Sequence, residues 1–301
     1  MASIFETRAA LAGRTAAILG GGGGIGRAVS LALAEAGVDL VIGDRDDASL
    51  AETADAVRAF GRRVTDATCD VLSPASVDAF FDTVAGASDT LDILVNVAGG
   101  VRRGSLLDKT EDEDVADIRR NYGYVVQAYR RAIPLIARGG SGGSIISFTT
   151  IEAYRGAAGF SVYAGAKAAT TNFTRAMAVE LAAQGIRCNC VVPDTTPSAG
   201  NLAALSEQAR SRAFALPANV RAKGYEMYIP MKRAPGVDAL ANAVLFLASD
   251  LSRFVTGTAI HVDGGTWAAS GFIDWPHGDG HLPAPLAGSL GKLFSSDEPA
   301  P

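Results

Sequence analysis

The chain has 301 residues, 48% of them apolar, which is enough to bury a large core within one domain. Its formal charge of -5 offers no broad basic surface for a nucleic acid backbone, and no apolar run approaches the roughly 20 residues that cross a bilayer. The first residues lack the basic start and apolar stretch of a secretion signal. We therefore expect a single cytoplasmic domain, residues 1–301, that binds neither nucleic acid nor membrane.

Short apolar runs alternate with segments of helix length from the start of the chain. The runs predict buried strands at 16–19, 40–42, 64–69, 93–95, 145–148, 187–192 and 259–262. The intervening patterns predict helices at 25–36, 46–60, 112–138, 161–183 and 237–249. Strands that alternate with helices predict an α/β fold, a doubly wound parallel sheet with helices on both faces.

Two stretches do not follow this alternation. Residues 193–235 carry scattered apolar side chains: Phe214, Leu216, Tyr225, Met227, Tyr228, Ile229 and Met231. They suit a mobile helical lid over an apolar substrate pocket, and an ordinary helix pair packed on the core suits them equally. Residues 266–301 form a C-terminal extension whose start, Trp267 to Trp275, is apolar enough to pack at a pocket mouth or a subunit interface. The proline-rich remainder predicts irregular structure.

The cysteines and histidines show no spacing typical of metal ligands. Cys188 and Cys190 share one predicted strand, and Cys69 lies far away in sequence. His277 and His281 fall in the tail. Neither a disulfide framework nor a metal site is predicted.

A glycine run follows the first predicted strand and opens the next helix: Leu19-Gly20-Gly21-Gly22-Gly23-Gly24-Ile25-Gly26. A turn of glycines lets the backbone approach a pyrophosphate, and the helix N-terminus supplies free N–H groups and a positive dipole. The sequence therefore predicts a phosphate-binding turn with Gly20, Gly24, Ile25 and Gly26 against the cofactor.

Asp44 ends the second predicted strand, 18 residues after Gly26, close to the roughly 20 at which an acid meets the adenosine ribose. A carboxylate there accepts hydrogen bonds from the ribose hydroxyls and repels a 2′-phosphate, so NAD is predicted as the cofactor. The adjoining Arg45 could instead pair with that phosphate, which leaves an NADPH-dependent ketoreductase as an alternative.

Tyr163 and Lys167 lie four residues apart in a predicted helix and so share one face. A tyrosine with a pKa of about 10 is a poor base at neutral pH. A neighbouring ammonium lowers that pKa, and the phenol can then take a proton from an alcohol while a cofactor carries the hydride. Alone, this spacing more often marks a half-exposed tyrosine and a solvated lysine. Beside a dinucleotide turn, it indicates a redox site.

Several separated motifs occur in the order found in short-chain dehydrogenases/reductases, which the chain resembles over about residues 11–265. Besides the glycine turn and Asp44, they are Asp70-Val71, Asn96-Val97-Ala98-Gly99, Asn121, Tyr163-x-x-x-Lys167, Thr256-Gly257 and Val262-Asp263-Gly264-Gly265. The resemblance implies a Rossmann fold, an oxidoreductase activity, and a homotetramer formed through two long helices and the C-terminal segments.

The same resemblance implies roles for individual residues. The implied cofactor contacts are Asp70 and Val71 beside adenine, Asn96, Ala98 and Gly99 under the cofactor, and Pro193, Thr195 and Thr196 near the nicotinamide. Lys167 would also bond the nicotinamide ribose. Asn121 would hold a water in a kinked helix that links Lys167 to solvent as a proton relay.

Three positions depart from the family pattern. Thr150, 13 residues before Tyr163, stands where the family has a serine; its hydroxyl can hold the substrate oxygen, although its methyl group stiffens it. Leu19 replaces a threonine that braces the glycine turn, so we expect backbone bonds alone to hold that turn. Asp194 replaces a glycine after Pro193, and its carboxylate is predicted to favour the cationic oxidised nicotinamide and hence alcohol oxidation.

These residues predict NAD-dependent oxidation of a secondary alcohol to its ketone, with Tyr163 as general base. The apolar side chains of 193–235 favour a hydrophobic alcohol. Arg102 and Arg103, after the Asn96 motif, could bind a carboxylate or the phosphates of a thioester carrier, or be solvated. From another class, a dinucleotide-binding sensor or scaffold without turnover stays open because of the three departures.

Overall fold

A parallel sheet forms the centre of the computed structural model, which describes residues 3–197, 207, 211, 215–275 and 280–283. Its strands are β1 (Thr15–Leu19), β2 (Asp39–Asp44), β3 (Val64–Thr68), β4 (Ile93–Asn96), β5 (Gly143–Phe148), β6 (Ile186–Pro193) and β7 (Ala259–Val262). Within the described residues these seven strands pair in the order β3-β2-β1-β4-β5-β6-β7. The order reverses between β1 and β4, the switch point where ligands bind in such sheets. The predicted doubly wound α/β fold is confirmed.

Helices cover both faces of the sheet. They are α1 (Ile4–Ala9), α2 (Gly24–Glu35), α3 (Asp47–Ala59), α4 (Pro74–Ala87), α5 (Glu111–Ile118), α6 (Tyr124–Arg138), α7 (Ser161–Leu181), α8 (Ala218–Tyr228), α9 (Val237–Ala248) and α10 (Thr266–Ala269). One apolar cluster joins the strands to α2, α3 and α9, and a second joins them to α4, α6 and α7. Burial on both faces explains why the strands read as continuous apolar runs. No helix in the described ranges is long and apolar enough to cross a bilayer.

Two helical features differ from the predictions. Helix α4 was not predicted, although Ser73 caps it by accepting a hydrogen bond from Ser76 N and Pro74 occupies its first turn. The helix predicted at 112–138 is divided into α5 and α6 by a π-helical turn, Arg119–Gly123, which lies where the resemblance implied a kink. Such turns often occur at functional sites, and this one carries Asn121.

The described part of the C-terminal extension is more regular than predicted. Strand β8 (Ile273–Trp275) pairs antiparallel with β9 (Gly280–Leu282), and Trp275 Nε1 donates to the carbonyl oxygen of Leu282 at 2.8 Å. Lys232 forms an ion pair with Asp274 and so ties the hairpin to the segment after α8. Residues 276–279 and 284–301 lie outside the described ranges.

The apolar residues of 193–235 differ in exposure. Leu216 and Met231 are 48% and 63% exposed and Ile229 is buried, and a lid over a substrate pocket stays a prediction. Phe214 lies outside the described residues. Tyr228, at the end of α8, contacts the polar side of the candidate site described below.

Candidate active site

The glycine turn joins β1 to α2 at the carboxyl edge of the sheet. The N–H groups of Gly20 and Gly21 donate to the carbonyl oxygen of Gly43 at 2.7 and 3.0 Å. Gly20 has a φ of +86°, and a Cβ on Gly26 would lie 1.7 Å from the carbonyl oxygen of Gly20. Both positions therefore require glycine. The bare backbone that results is the surface a pyrophosphate needs.

Side chains also hold this turn. Ser30 Oγ donates to the carbonyl oxygen of Gly21 at 3.1 Å, and Thr53 Oγ1 donates to that of Gly22 at 2.6 Å. The N–H of Gly22 donates to Asp44 Oδ2 at 3.0 Å. The expectation that backbone bonds alone brace the turn is wrong, because hydroxyls on α2 and α3 replace the missing threonine.

The predicted adenosine contacts follow the ends of β2 and β3, which are neighbours in the sheet. Asp44 lies against the turn, and Arg45 is exposed. Asp70 is exposed, and its Oδ1 accepts a hydrogen bond from Leu72 N at 3.0 Å. The carbonyl oxygen of Val71 accepts from Arg119 Nε at 3.2 Å, on the π-helical turn. Carboxylate acceptors, with Arg45 beside them, thus line this end of the site.

The end of β4 packs directly on the glycine turn. Ala98 N donates to the carbonyl oxygen of Leu19 at 2.8 Å, and a Cβ on Gly20 would lie 2.6 Å from Ala98 N. Asn96 is buried; its Nδ2 donates to Ser147 Oγ at 3.3 Å, while its Oδ1 has no hydrogen bond partner among the described residues. Asn96 and Ala98 therefore lie at the switch point, and their contact with a cofactor stays a prediction.

Gly99 separates two of the predicted catalytic residues. A Cβ at this position would lie 3.0 Å from Asn121 Oδ1 and 3.1 Å from Lys167 Nζ. Asn121 is fully buried, and its Nδ2 donates to the carbonyl oxygens of Gly100 and Asp117, both at 2.9 Å. These bonds hold the π-helical turn in place, so Asn121 and Lys167 face each other across a glycine backbone.

Lys167 is 4% exposed and donates from Nζ to the carbonyl oxygen of Phe148, at the end of β5, at 2.8 Å. Burial lowers the pKa of its ammonium group to about 8. This lysine can therefore gain or lose a proton close to neutral pH.

Tyr163 lies one turn before Lys167 on α7. Burial raises the pKa of its phenol well above the usual value, and the negative charge of Glu152 adds to the increase, while a hydrogen bond with the Thr150 hydroxyl opposes it. The prediction that Lys167 lowers the pKa of this phenol is wrong. The protein groups around Tyr163 together raise that pKa. Tyr163 is consequently held in its protonated form near neutral pH.

Thr150 is 4% exposed and follows β5, where its hydroxyl lies close enough to Tyr163 to affect the pKa of the phenol on one side. On the other side Thr150 Oγ1 donates to Glu152 Oε2, in the short helical turn Ile151–Ala153. The predicted replacement of serine by threonine therefore puts a hydroxyl beside Tyr163. The carboxylate bonded to that hydroxyl was not predicted.

Glu152 belongs to a polar network that sequence reasoning missed. Arg155 Nη2 lies 2.8 Å from Glu152 Oε1, donates to the Tyr228 hydroxyl at 2.8 Å, and lies 3.8 Å from Asp194 Oδ1. The network connects the loop before α7 to α8 and to the end of β6. The sequence signal that could have indicated this network is Glu152 itself, whose carboxylate follows the Thr150 hydroxyl by two residues.

The residues after β6 also surround Asp194. Pro193 ends the strand opposite Val262 of β7. Thr195 Oγ1 donates to Asp194 Oδ1 at 3.2 Å, and Thr196, which is buried, donates to the carbonyl oxygen of Asp194 at 3.3 Å. The side chain of Asp194 is turned toward Arg155, whose charge offsets part of the predicted effect of this carboxylate on the nicotinamide.

The two candidate anion-binding arginines have different surroundings. Arg102 pairs with Glu113 at 2.8 Å. The Arg103 guanidinium lies 4.6 Å from the ring centre of Phe160, which is itself 6.2 Å from the ring centre of Tyr163. Arg103 thus reaches the edge of the site, through a cation–π contact.

The fold and the site together define a nicotinamide dinucleotide-dependent oxidoreductase: a glycine turn at the switch point, with a half-buried tyrosine and a buried lysine and threonine beside it. A family model described as enoyl-(acyl carrier protein) reductase matches residues 20–266. The chain belongs to the short-chain dehydrogenase/reductase family.

The chain matches relatives of known and of unknown activity over almost the whole of their length. The cis-4-hydroxycyclohexanecarboxylate dehydrogenase of Sinomonas cyclohexanicum is 36% identical, over 85% of this chain and 97% of that one. An uncharacterised oxidoreductase of Mycobacterium tuberculosis is 33% identical, over 84% and 91%. The crystal structure of carveol dehydrogenase from Mycobacterium avium in complex with NAD superposes with a TM-score of 0.76 at 29% identity, over 85% and 98%.

Proposed function

We propose that the protein catalyses the reversible, NAD-dependent oxidation of a secondary alcohol to its ketone. The observation that carries this proposal is the placement of Tyr163 one helical turn from Lys167, which is buried and bonded to the carbonyl oxygen of Phe148, with the Thr150 hydroxyl close to the phenol. A proton-transfer group and a hydroxyl that can hold an oxygen are thereby side by side at the sheet's ligand-binding edge.

The chain's own residues perform the proton chemistry. In oxidation, the phenolate of Tyr163 takes the proton of the substrate hydroxyl while Thr150 Oγ1 holds the substrate oxygen. A bound nicotinamide dinucleotide supplies the hydride acceptor. In reduction, the protonated Tyr163 returns the proton to the ketone oxygen. Because burial raises the pKa of this phenol, we expect oxidation to improve at alkaline pH.

The residues of the site fit such a cofactor. Gly20 and Gly26 allow the turn to pack tightly on Ala98 and on itself, and the unpartnered Asn96 Oδ1 lies buried at the end of β4, as judged over the described residues. Asp44, held against the turn, supports the preference for NAD, since its carboxylate would repel a 2′-phosphate. The NAD complex of the Mycobacterium avium carveol dehydrogenase also supports this preference.

A cyclic, largely hydrophobic secondary alcohol is the substrate class that we propose. The support comes from relatives named for ring alcohols, the cis-4-hydroxycyclohexanecarboxylate dehydrogenase and carveol dehydrogenase. The aromatic ring of Phe160 beside Tyr163 agrees with such a substrate.

We further propose that the chain acts as a homotetramer. Helices α5 and α7 expose apolar side chains, with Val115, Ile118 and Val179 at 58%, 46% and 81% exposure. Exposed apolar groups in helices of this kind often mark interfaces. Light scattering after size exclusion should give about four times the chain mass of 30.9 kDa, and a monomeric mass would refute the assembly.

The proposal is tested by titrating the wild type and a Tyr163→Phe variant with NADH and NADPH, with nicotinamide fluorescence as the signal. We expect tighter binding of NADH, retained by the variant, and a loss of alcohol oxidation in the variant of about a thousandfold. Tighter binding of NADPH would indicate a ketoreductase. Binding of either cofactor without turnover of any alcohol or ketone would indicate a sensor.

A further inference from the structure

We propose that Glu152 and Asp194 bind a second hydroxyl group of the substrate, so that the preferred substrates are cyclic diols whose second hydroxyl adjoins the reacting carbon. This inference rests on the proposed alcohol oxidation and names a narrower substrate class for the same site. It assigns a specificity role to two side chains outside the tyrosine, lysine and threonine set.

The first step concerns how close Glu152 lies to the residues that would hold the reacting oxygen. Its carboxylate accepts the hydroxyl hydrogen of Thr150, and that hydroxyl lies near Tyr163. The Glu152 side chain is only 12% exposed. An alcohol held between Thr150 and Tyr163 therefore presents its neighbouring carbon to a charged group. A hydrocarbon there would desolvate that charge without replacing its hydrogen bonds, which is costly.

The second step concerns the single hydrogen of the Thr150 hydroxyl. While this hydrogen is donated to Glu152, it is not available to the reacting oxygen of the substrate. A second substrate hydroxyl that donates to Glu152 replaces Thr150 as the donor. Thr150 is then free to turn its hydrogen toward the reacting oxygen. Binding of a diol thus completes the catalytic arrangement, whereas a simple alcohol leaves Thr150 and Glu152 paired.

The third step is an unused acceptor. The Asp194 side chain is 6% exposed, and its Oδ2 is buried with no hydrogen bond partner in the described part of the chain. Asp194 Oδ1 lies 3.8 Å from Arg155 Nη2, the same nitrogen that pairs with Glu152. The neighbouring Tyr228 hydroxyl interacts with Asp194 but does not reach Oδ2 at hydrogen-bond distance. A substrate hydroxyl would supply the donor that this buried acceptor lacks.

The charges of this network further restrict the chemical class of the ligand. One guanidinium, that of Arg155, serves two carboxylates, those of Glu152 and Asp194. Two carboxylates thus share one guanidinium, and burial raises the pKa of Asp194, with the negative charge of Glu152 adding to the increase. A neutral hydroxyl fits this balance, whereas a carboxylate on the substrate would be repelled.

The test compares cyclohexanol, cis-1,2-cyclohexanediol and cis-4-hydroxycyclohexanecarboxylate as substrates with NAD. The ratio of kcat/KM for the diol to that for cyclohexanol is measured in the wild type, Glu152→Gln and Asp194→Asn. Glu35→Gln, an exposed carboxylate at the end of α2, is the matched control. We expect a ratio of about ten or more in the wild type and the control, and a fall of about tenfold in the ratio for Glu152→Gln and Asp194→Asn, as for loss of a hydrogen bond to a charged group.

Binding separates this inference from the proposed function. Ligand-observed NMR measures association of the diol and cyclohexanol with the NAD-loaded protein, without turnover. A diol preference that both variants reduce supports the inference even where no NADH forms, an outcome that refutes the proposed function alone. Equal binding and turnover of the diol and cyclohexanol, or a preference for the carboxylate, would overturn the inference. A diol preference that neither variant alters would overturn it too.

Discussion

The carboxylate of Asp44 accepts a hydrogen bond from the backbone N–H of Gly22 at 3.0 Å, which fixes the acid at the end of β2 against the glycine turn. A 2′-phosphate on the adenosine would meet this negative charge. We therefore expect Asp44→Ser to shift the ratio of the Kd values for NADPH and NADH by about tenfold or more toward NADPH. Fluorescence titration of the two reduced cofactors measures the ratio.

Asp55→Ser is the control for that substitution, because Asp55 is exposed on α3 and pairs with Arg58. An Asp44→Ser protein with the wild-type ratio would mean that Arg45, rather than Asp44, decides which cofactor binds.

Two alanine substitutions in the glycine turn should have opposite outcomes. A Cβ on Gly26 would lie 1.7 Å from the carbonyl oxygen of Gly20, so Gly26→Ala must displace the turn. A Cβ on Gly23 would meet nothing closer than Ser49 Cβ at 3.9 Å. We expect Gly26→Ala to weaken NADH binding by at least about a hundredfold and Gly23→Ala to change it by less than about threefold. Equal effects of the two substitutions on Kd would contradict this geometry.

Local sequence patterns predicted the sheet because its central strands are apolar runs, buried on both faces and set apart by helices, whereas the edge strand β3 is mostly exposed. The strand 259–262 and most other boundaries agree within two residues. The interruption between α5 and α6 had no local signal of its own. It depends on the bonds from Asn121 to Gly100, a residue 21 positions away in the chain.

The candidate site shows the same division between local and long-range information. The glycine turn and the Tyr163–Lys167 spacing could be identified from the sequence because their chemistry depends on residues that are close together in one helix or turn. The supports of that turn, Ser30 and Thr53, come from two different helices and were missed. Glu152 was missed because its contact with Thr150 forms only when the short turn after β5 folds the chain back.

The pH dependence of alcohol oxidation should move when Glu152 is neutralised. Oxidation requires deprotonated Tyr163, so kcat/KM rises with pH toward the pKa of the phenol. Burial is the largest cause of the raised pKa, and the negative charge of Glu152 adds to it. Glu152→Gln therefore lowers this pKa, and we expect the rising limb of the profile to move to lower pH by roughly one unit.

Glu35→Gln serves as the control in this experiment as well. Initial rates of NADH formation from cyclohexanol between pH 7 and pH 10 give the profile. A limb that stays in place, or moves to higher pH, in Glu152→Gln would show that the charge of Glu152 does not act on Tyr163.

Burial of Lys167 should make the stability of the fold depend on pH. The pKa of its ammonium group is lowered to about 8 in the folded protein, against 10.5 for an unburied lysine. Between these values the unfolded chain binds more protons than the folded chain, so the contribution of Lys167 to the free energy of unfolding rises with pH. Below about pH 8 both states hold the proton, and the full cost of the buried charge is present.

Lys167→Met removes this titration. We expect the variant to exceed the wild type in free energy of unfolding most at about pH 8, and the difference to shrink as pH rises toward 10, since only the wild type loses a buried charge over this window. Urea denaturation at several pH values measures both proteins. Lys223→Met is the control, because the Lys223 side chain is 58% exposed. A difference that stays constant with pH would mean that the bond to the Phe148 carbonyl keeps Lys167 protonated throughout, and Lys167 would then act in catalysis as a fixed positive charge.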